Sequence, residues 1–260
     1  MITQSRATAT QITRRALIAS SATAGGLLLS GCERIGKTET GTSILDMAER
    51  FTYRAQRFVS DRAALAPEFS ASQMSPHFRT NGNTMPNSAS YAQHLAENFA
   101  NWKLVVDGLV ATPLALSLAD LKAMPTRTQI TSHNCVEGWT AIGKWHGVPL
   151  GMILKRAGVL PQARFLVFHC ADSFFGETYY ESIDLVDGFH PQTILAWGLN
   201  DAMLPVGNGA PLRLRVERQL GYKQAKYVMR VEAVDSLAHL GKGKGGFWED
   251  YIDYEWYAGI

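Results

Sequence analysis

A strand-rich α+β domain with short inserted helices is the fold class this sequence predicts, and three observations lead there. Runs such as WKLVVDGLV, ARFLVFHCAD and KYVMRVEAVD are alternating or continuously apolar over strand lengths. The helical patterns between them, SLADLKAMP and VPLGMILKRAGV, are short and carry their own start and stop signals. No internal repeat of solenoid length is visible, so the pattern is that of a layered domain rather than an array.

In chain order, the first stretch stands apart from the fold. Residues 1–32 contain Arg6, Arg14 and Arg15 but no Lys, Asp or Glu, and run through a modest apolar segment to LSGC. That segment is too short and too diluted by Ser, Thr and Gly to span a bilayer, which takes about 20 apolar residues. It is expected to be a twin-arginine export signal with Cys32 as the lipidated residue of a lipobox. The alternative is an ordinary signal with a chance Arg pair. Residues 33–75 are expected to form a tether and an N-terminal helix over roughly Leu45 to Ala66, and residues 76–260 the main domain.

SPHFRTNGNTMPNSASYAQHLAENF reads as a loop closing in a short helix. WKLVVDGLV is a strand turning at Asp107-Gly108. SLADLKAMP is a helix with Ser117 as N-cap and Asp120 at its third position. TRTQITSHN is a strand that leads directly into Cys135, and VPLGMILKRAGV a helix ended by Gly158. ARFLVFHCAD is a buried strand, QTILAWGLNDAMLP a strand and turn, and PLRLRVE and KYVMRVEAVD strands around a Gly221 turn. The aromatic, acidic tail GGFWEDYIDYEWYAGI is expected to be a packing strap.

Composition narrows the functional classes. The chain has 25 Lys+Arg against 23 Asp+Glu, but three Arg precede Cys32, which leaves 22 basic and 23 acidic residues after it. No basic stripe survives, so a nucleic-acid partner is not expected. The 229 residues from Cys32 suffice for one large core. Three cysteines exclude a disulfide-rich scaffold but allow a single bridge between Cys135 and Cys170.

Three stretches carry chemistry. Cys135 lies between two His and two Trp in TSHNCVEGWTAIGKWHG, and is either half of a disulfide, an inert thiol or a soft metal ligand. One Cys without a CxxC or HxxxH partner builds no protein-only metal cage, whereas a metal carried on an organic cofactor needs only one thiolate. Second, NGAPLRLRVERQLGYKQAK gathers Asn208, Arg213, Lys223, Gln224 and Lys226 around turn residues. Such donors suit an anionic or heteroaromatic ligand, and equally a solvated edge hairpin. Third, HFRTNGN crowds Arg79, Asn81 and Asn83 into a loop that a bland surface turn would also explain. His133, His146, His169 and His190 match no zinc spacing.

Taken together, NCVEGW, NGAPLRLRV, GYKQAK and GFWEDYIDYEWYAGI resemble the molybdopterin-binding domain of the sulfite oxidase family, in particular bacterial twin-arginine-exported members without a haem domain. The resemblance covers roughly Phe78 to Ile260 and implies a sulfite-oxidase-type molybdopterin-binding fold with a molybdenum-molybdopterin cofactor. It places the single protein ligand to molybdenum on Cys135. It places contacts to the pterin and its phosphate on Asn208, Arg213, Gln224, Ala225 and Lys226, with Asn81, Gly82 and, by a loose alignment, Cys170 also touching the cofactor. Arg213 and Tyr180 join Cys135 as candidate catalytic residues. Tyr179 and Tyr180 are candidate pocket residues because a phenol donates to an oxyanion, and otherwise two packed strand aromatics.

The resemblance further implies an exported oxidoreductase that moves an oxygen atom with two electrons on a small sulfur-containing substrate, a sulfoxide or a sulfite-like anion. A separate redox protein, either a cytochrome or a membrane haem subunit, is expected to exchange its electrons, with the chain itself monomeric in the periplasm or cell envelope. One departure matters. Many relatives carry Arg immediately before the metal-bound Cys, and here that residue is Asn134, which weakens the case for a dianion such as sulfite. Two rivals stay open at this level: a thiol-nucleophile enzyme with His133 or His146 as base, and a cofactor-free lipoprotein with a structural Cys135–Cys170 disulfide.

Overall fold

The computed structural model describes residues 38–59, 61 and 63–260. The Arg14-Arg15 pair, the LSGC box and Cys32 lie outside the described residues. The described residues fall into two compact units, one up to Phe58 and one from Val59 onward. In the first, helix α1 (Glu39–Val59) carries Met47, Phe51 and Phe58 exposed to solvent. It stops short of the Ala66 end expected from the pattern. Asp61 forms a turn that accepts from the Ala63 amide, and the residue before Pro67 is biased away from helix. None of the described helices is long and apolar enough to cross a membrane.

The second unit holds two five-stranded sheets. One has the order β2 (Leu114–Ser117), β1 (Lys103–Gly108), β10 (Val228–Val234), β5 (Phe165–Phe174), β6 (Glu177–Asp184). Within it only β1 and β10 are parallel. The other runs β3 (Arg127–Cys135), β4 (Trp139–Pro149), β7 (Ile194–Leu199), β8 (Ala202–Met203), with β9 (Arg213–Arg215) also on β7. The short helices α2 (Ala89–Ala96), α3 (Leu118–Ala123), α4 (Leu150–Ala157), α5 (Leu185–Gly188) and α6 (Phe247–Ile252) are inserted between strands or follow them. This is the strand-rich α+β class that the sequence predicts.

Local signals explain several boundaries. Alternation along β1 buries Leu104 and Val106 and turns Lys103 and Val105 to solvent. Ser117 caps α3 reciprocally: its hydroxyl accepts from the Asp120 amide at 3.1 Å, and Asp120 accepts from the Ser117 amide at 2.9 Å. Gly158 ends α4 at φ +66°. The main core packs Leu104 and Val106 against Leu166, Phe168, Val228 and Ile153, and a smaller one gathers Trp145, Ile194, Leu199 and Leu204 around Phe78. Part of the segment assigned at first to the tether is bonded into this unit. Phe69 donates to Ile130 O, Ser75 to Ile142 O, and Ala66 to the Gln192 side chain.

Two glycines, Gly143 and Gly147, interrupt strand β4 and weaken the strand signal of its Trp, Thr, Ile and Val residues. Gly147 is there for close approach: a Cβ would sit 2.1 Å from Leu195 O on the neighbouring β7 backbone. Gly147→Ala is therefore expected to destabilise the unit by about 1–3 kcal/mol, measured as a lowered denaturation midpoint.

Candidate active site

Cys135 is the last residue of β3 and pairs with Trp139 at the start of β4. The tight connection is closed by the Gly138 amide donating to Cys135 O at 3.1 Å. This holds the thiol half-buried at the wall of a cavity of about 190 Å³. Burial pushes the Cys135 thiol above its ordinary pKa, so it is not a free thiolate poised for attack. Among the described residues no histidine hydrogen-bonds it. His133 is fully buried, with its Nδ1 facing Arg215 Nη1 at 3.0 Å, and burial, then Arg213 and Arg215, holds its pKa well below normal. His146 is engaged with Thr128 at 2.7 Å. The thiol-nucleophile rival thus has no base in place.

Two further pieces of chain face Cys135. The loop at Asn81–Asn83 is pinned from below by Lys226, whose ammonium donates to Asn81 O (2.7 Å), Gly207 O (2.8 Å) and Asn83 O. Glu137 joins that loop to the cysteine turn, accepting from Trp139 Nε1 at 2.9 Å and, weakly, from the Gly82 amide at 3.5 Å. The segment from Gly221 to Lys226 follows β9 and gives the cavity Gln224, Ala225 and Lys226. Of the remaining candidates, Arg213 sits directly behind, fully buried, with Nη2 on Asn81 Oδ1 and Nη1 on Asn208 O, both at 3.1 Å.

Several buried polar atoms here lack partners: Asn208 Nδ2, Arg213 Nε and Asp172 Oδ1. Buried donors are rarely left so, and these two belong to Arg213 and Asn208, which are bonded together behind Asn81 in the wall of a cavity that also holds a lysine and a soft thiol. That set fits an anionic organic cofactor carrying a thiophilic metal. Burial, then Arg213, draws Lys226 down to about 7. Burial raises Asp172 to about 6 against the hydrogen bond from Asn83 Nδ2 at 3.2 Å.

Some expected residues sit elsewhere. Tyr180 does not line the cavity; its hydroxyl donates to Asp250 at 2.5 Å and lies near Leu240 O at 3.3 Å. Neighbouring strand residues face opposite ways, and it is Tyr179 that lines the cavity, donating to Tyr222 O at 2.8 Å. Cys170 is buried in β5 behind the lining, its thiol directed at Phe168 O. Cys135 and Cys170 are separate free thiols on strands of different sheets, which removes the disulfide rival. Asn134 is spent on Thr140, from which its Oδ1 accepts at 2.8 Å.

Sequence reasoning missed Asp172, Phe174, Tyr222, Trp248 and Tyr254, all in the cavity wall. A carboxylate ending the apolar run FLVFHCAD was the one signal that could have exposed Asp172.

A family model described as the oxidoreductase molybdopterin-binding domain matches residues 91–239, which include Cys135 and the Asn208–Lys226 segment. The chain belongs to that family. It is a molybdopterin-dependent oxidoreductase of the sulfite oxidase type, and molybdenum-molybdopterin is its cofactor. A protein of Azospira oryzae, provisionally named as the protein-methionine-sulfoxide reductase subunit YedZ1, is 36% identical over 249 residues, 95% of this chain and 87% of that one. The protein-methionine-sulfoxide reductase catalytic subunit MsrP of Campylobacter jejuni is 30% identical over 185 residues, 65% of this chain and 60% of that one. MsrP of Xanthomonas campestris is 35% identical over 147 residues, 52% of this chain and 46% of that one. This chain thus spans less than two thirds of either catalytic subunit. Among solved structures, the sulfane dehydrogenase SoxCD of Paracoccus pantotrophus superposes with TM-score 0.49 and 25% identity over 52% of this chain and 39% of that one.

Proposed function

We propose that this protein is an exported sulfoxide reductase acting on methionine sulfoxide, with the cofactor seated in the cavity beside Cys135. The observation that carries the choice of substrate is the charge of the cavity wall. It holds Glu137 and Asp172 against Lys226, whose ammonium is already shared among three carbonyls, and Asn134 adds no cation. With Lys226 and Arg213 committed to the anionic cofactor, the charges left on the wall are those of Glu137 and Asp172, which do not favour a small dianion, whereas a neutral sulfoxide makes no such demand. The names of the Azospira, Campylobacter and Xanthomonas relatives point to the same substrate class.

When bound, the molybdenum centre supplies the two-electron exchange by which a sulfoxide, two electrons and two protons become a sulfide and water. Cys135 serves as the one protein ligand. Asn208, Arg213, Gln224, Ala225 and Lys226 would hold the anionic end, where the Asn208 Nδ2 and Arg213 Nε donors lack a protein partner, while Asn81 and Gly82 would close the loop side and Cys170 packs behind. Of the two tyrosines expected at the pocket, Tyr179 takes that role, and the catalytic candidate Tyr180 does not line the cavity. Asp172 Oδ1 is the atom placed to hold a proton at the cavity wall. A carboxyl raised to about 6 keeps its proton below that pH and loses it above. Sulfoxide turnover is therefore expected to fall as pH climbs through about 6, and Asp172→Asn to remove that limb from the pH profile of kcat.

Export and attachment rest on the Arg14-Arg15 signal and on Cys32, which support a periplasmic or envelope protein that is lipid-anchored. The relatives named as subunits support a separate redox partner, a membrane haem protein or a cytochrome. The test is an oxidation assay with reduced benzyl viologen and methionine sulfoxide, run beside a sulfite assay with ferricyanide. Sulfoxide-dependent dye oxidation is expected. Sulfite oxidation without sulfoxide turnover would reverse the assignment.

A further inference from the structure

The hairpin joining β5 to β6 turns on two residues, Phe175 and Gly176, between the paired Phe174 and Glu177. Both have positive φ, +53° and +89°. Turns of this kind favour Asn-Gly or Asp-Gly, because a Cβ-bearing bulky side chain is strained in the left-handed region. Phe175 therefore costs backbone strain, and its ring is 80% exposed, so packing gives little in return. An aromatic kept in a strained, solvent-facing position next to a cofactor cavity points to contact with something else.

The surroundings indicate what that is. The Phe175 ring lies 6.4 Å from Phe247 and 6.4 Å from Tyr251 on α6. The next residue of that helix, Ile252, is 47% exposed and lines the cavity, as does Trp248. Across the mouth Val136, beside Cys135, is also exposed and lining. Exposed Phe175, Tyr251 and Ile252 thus run as a strip from the hairpin tip to the cavity rim, with the Lys242 ammonium 3.9 Å over the Tyr251 ring. The cavity of about 190 Å³ is below the roughly 300–1,000 Å³ of pockets that enclose a whole ligand. A cavity that small, shared with the cofactor, cannot also enclose a large substrate, so the parts of a substrate away from the sulfoxide lie on the rim. A small free sulfoxide would leave the strip without a role.

We infer that Phe175, Tyr251 and Ile252 form a binding strip for apolar residues flanking an oxidised methionine in an extended polypeptide, with Phe175 as its specificity-determining residue. This rests on the sulfoxide reading above. The atoms and electrons of the reaction are unchanged by it; the strip sets which polypeptides reach the cavity.

The experiment uses full-length holoenzyme matured through export, with reduced benzyl viologen as donor so that no protein partner is needed. Substrates are dimethyl sulfoxide and two blocked pentapeptides with a central methionine sulfoxide, one flanked by Phe and Leu, the other by Ser and Gly. Phe175→Ala and Phe175→Asn are each expected to raise KM for the apolar-flanked peptide about tenfold. They should leave its kcat, and turnover of dimethyl sulfoxide, unchanged. Phe175→Asn should also unfold at the same or a higher temperature than wild type, because it suits the turn; a packing residue would show the reverse. Unchanged peptide KM, or an equal rise for dimethyl sulfoxide, overturns the strip. So does normal peptide turnover with the dye combined with slowed turnover through the native redox partner, which would assign the strip to that partner. A wild type that reduces none of the three substrates instead overturns the sulfoxide reading itself.

Discussion

Cys135→Ala loses turnover by on the order of 10³-fold or more, a loss comparable to removing one member of a catalytic unit. The residue ends β3 half-buried, and its side chain serves neither core, so the fold survives. Against cofactor-free wild type, the unfolding temperature should move by no more than about 4 °C. That comparison matters, because bound cofactor stabilises the wild type by linkage and its loss would otherwise pass for damage to the fold. A variant with normal turnover would show that the thiol holds nothing.

The largest effect on stability is expected at Lys223. Its ammonium lies between Glu181 (2.5 Å) and Glu249 (2.6 Å), all three side chains essentially without solvent exposure. Burial works against the lysine's charge, but the two carboxylates outweigh it and raise its pKa. Burial, then Glu249, holds Glu181 well above the usual carboxylate range. Lys223→Met leaves two buried carboxyls with no cation and should cost about 3–5 kcal/mol. For a unit of this size that is a drop of about 6–20 °C in Tm. Replacing Glu181 and Glu249 by Gln together with Lys223→Met should restore most of it, because the desolvated charges go with the lysine.

This cluster also bears on the site. Lys223 sits between Tyr222 and Gln224, Glu249 follows Trp248, and Glu181 is two residues from Tyr179, all four neighbours lining the cavity. The Lys223→Met protein should accordingly retain less molybdenum. The pH sign follows from Glu181. A folded pKa above the unfolded one means the folded state keeps a proton that the unfolded chain releases above about 4.3. Its contribution is complete below that pH and fades as pH rises through the folded pKa. Glu181→Gln should flatten that slope in a series of denaturation midpoints.

How much of this the residues announce depends on which force decides each position. Boundaries set by local chemistry were readable, as with the Ser117–Asp120 box, the Gly158 stop and the strand that delivers Cys135. Strand β4 was not, because its Gly147 answers to the Leu195 backbone across the sheet, which is a tertiary fact. Choosing between Tyr179 and Tyr180 needs the strand phase, and the register shift of the β5–β6 pair between His169 and Ser173 hides it. Asn208, Arg213 and Lys226 were legible as a donor-rich segment. The pinning of the Asn81–Asn83 loop by Arg213 and Lys226, 132 and 145 residues from Asn81 in sequence, was not. Trp248 and Tyr254 reach the cavity wall only because the tail folds back as a strap, a role its aromatic composition did suggest.

The central claim, one thiolate of Cys135 on a molybdopterin-held molybdenum, is tested most directly by metal analysis of the full chain matured through its own export route. About one molybdenum per chain in the wild type, and little in Cys135→Ala, is the predicted result. A metal-free protein with full activity would contradict it.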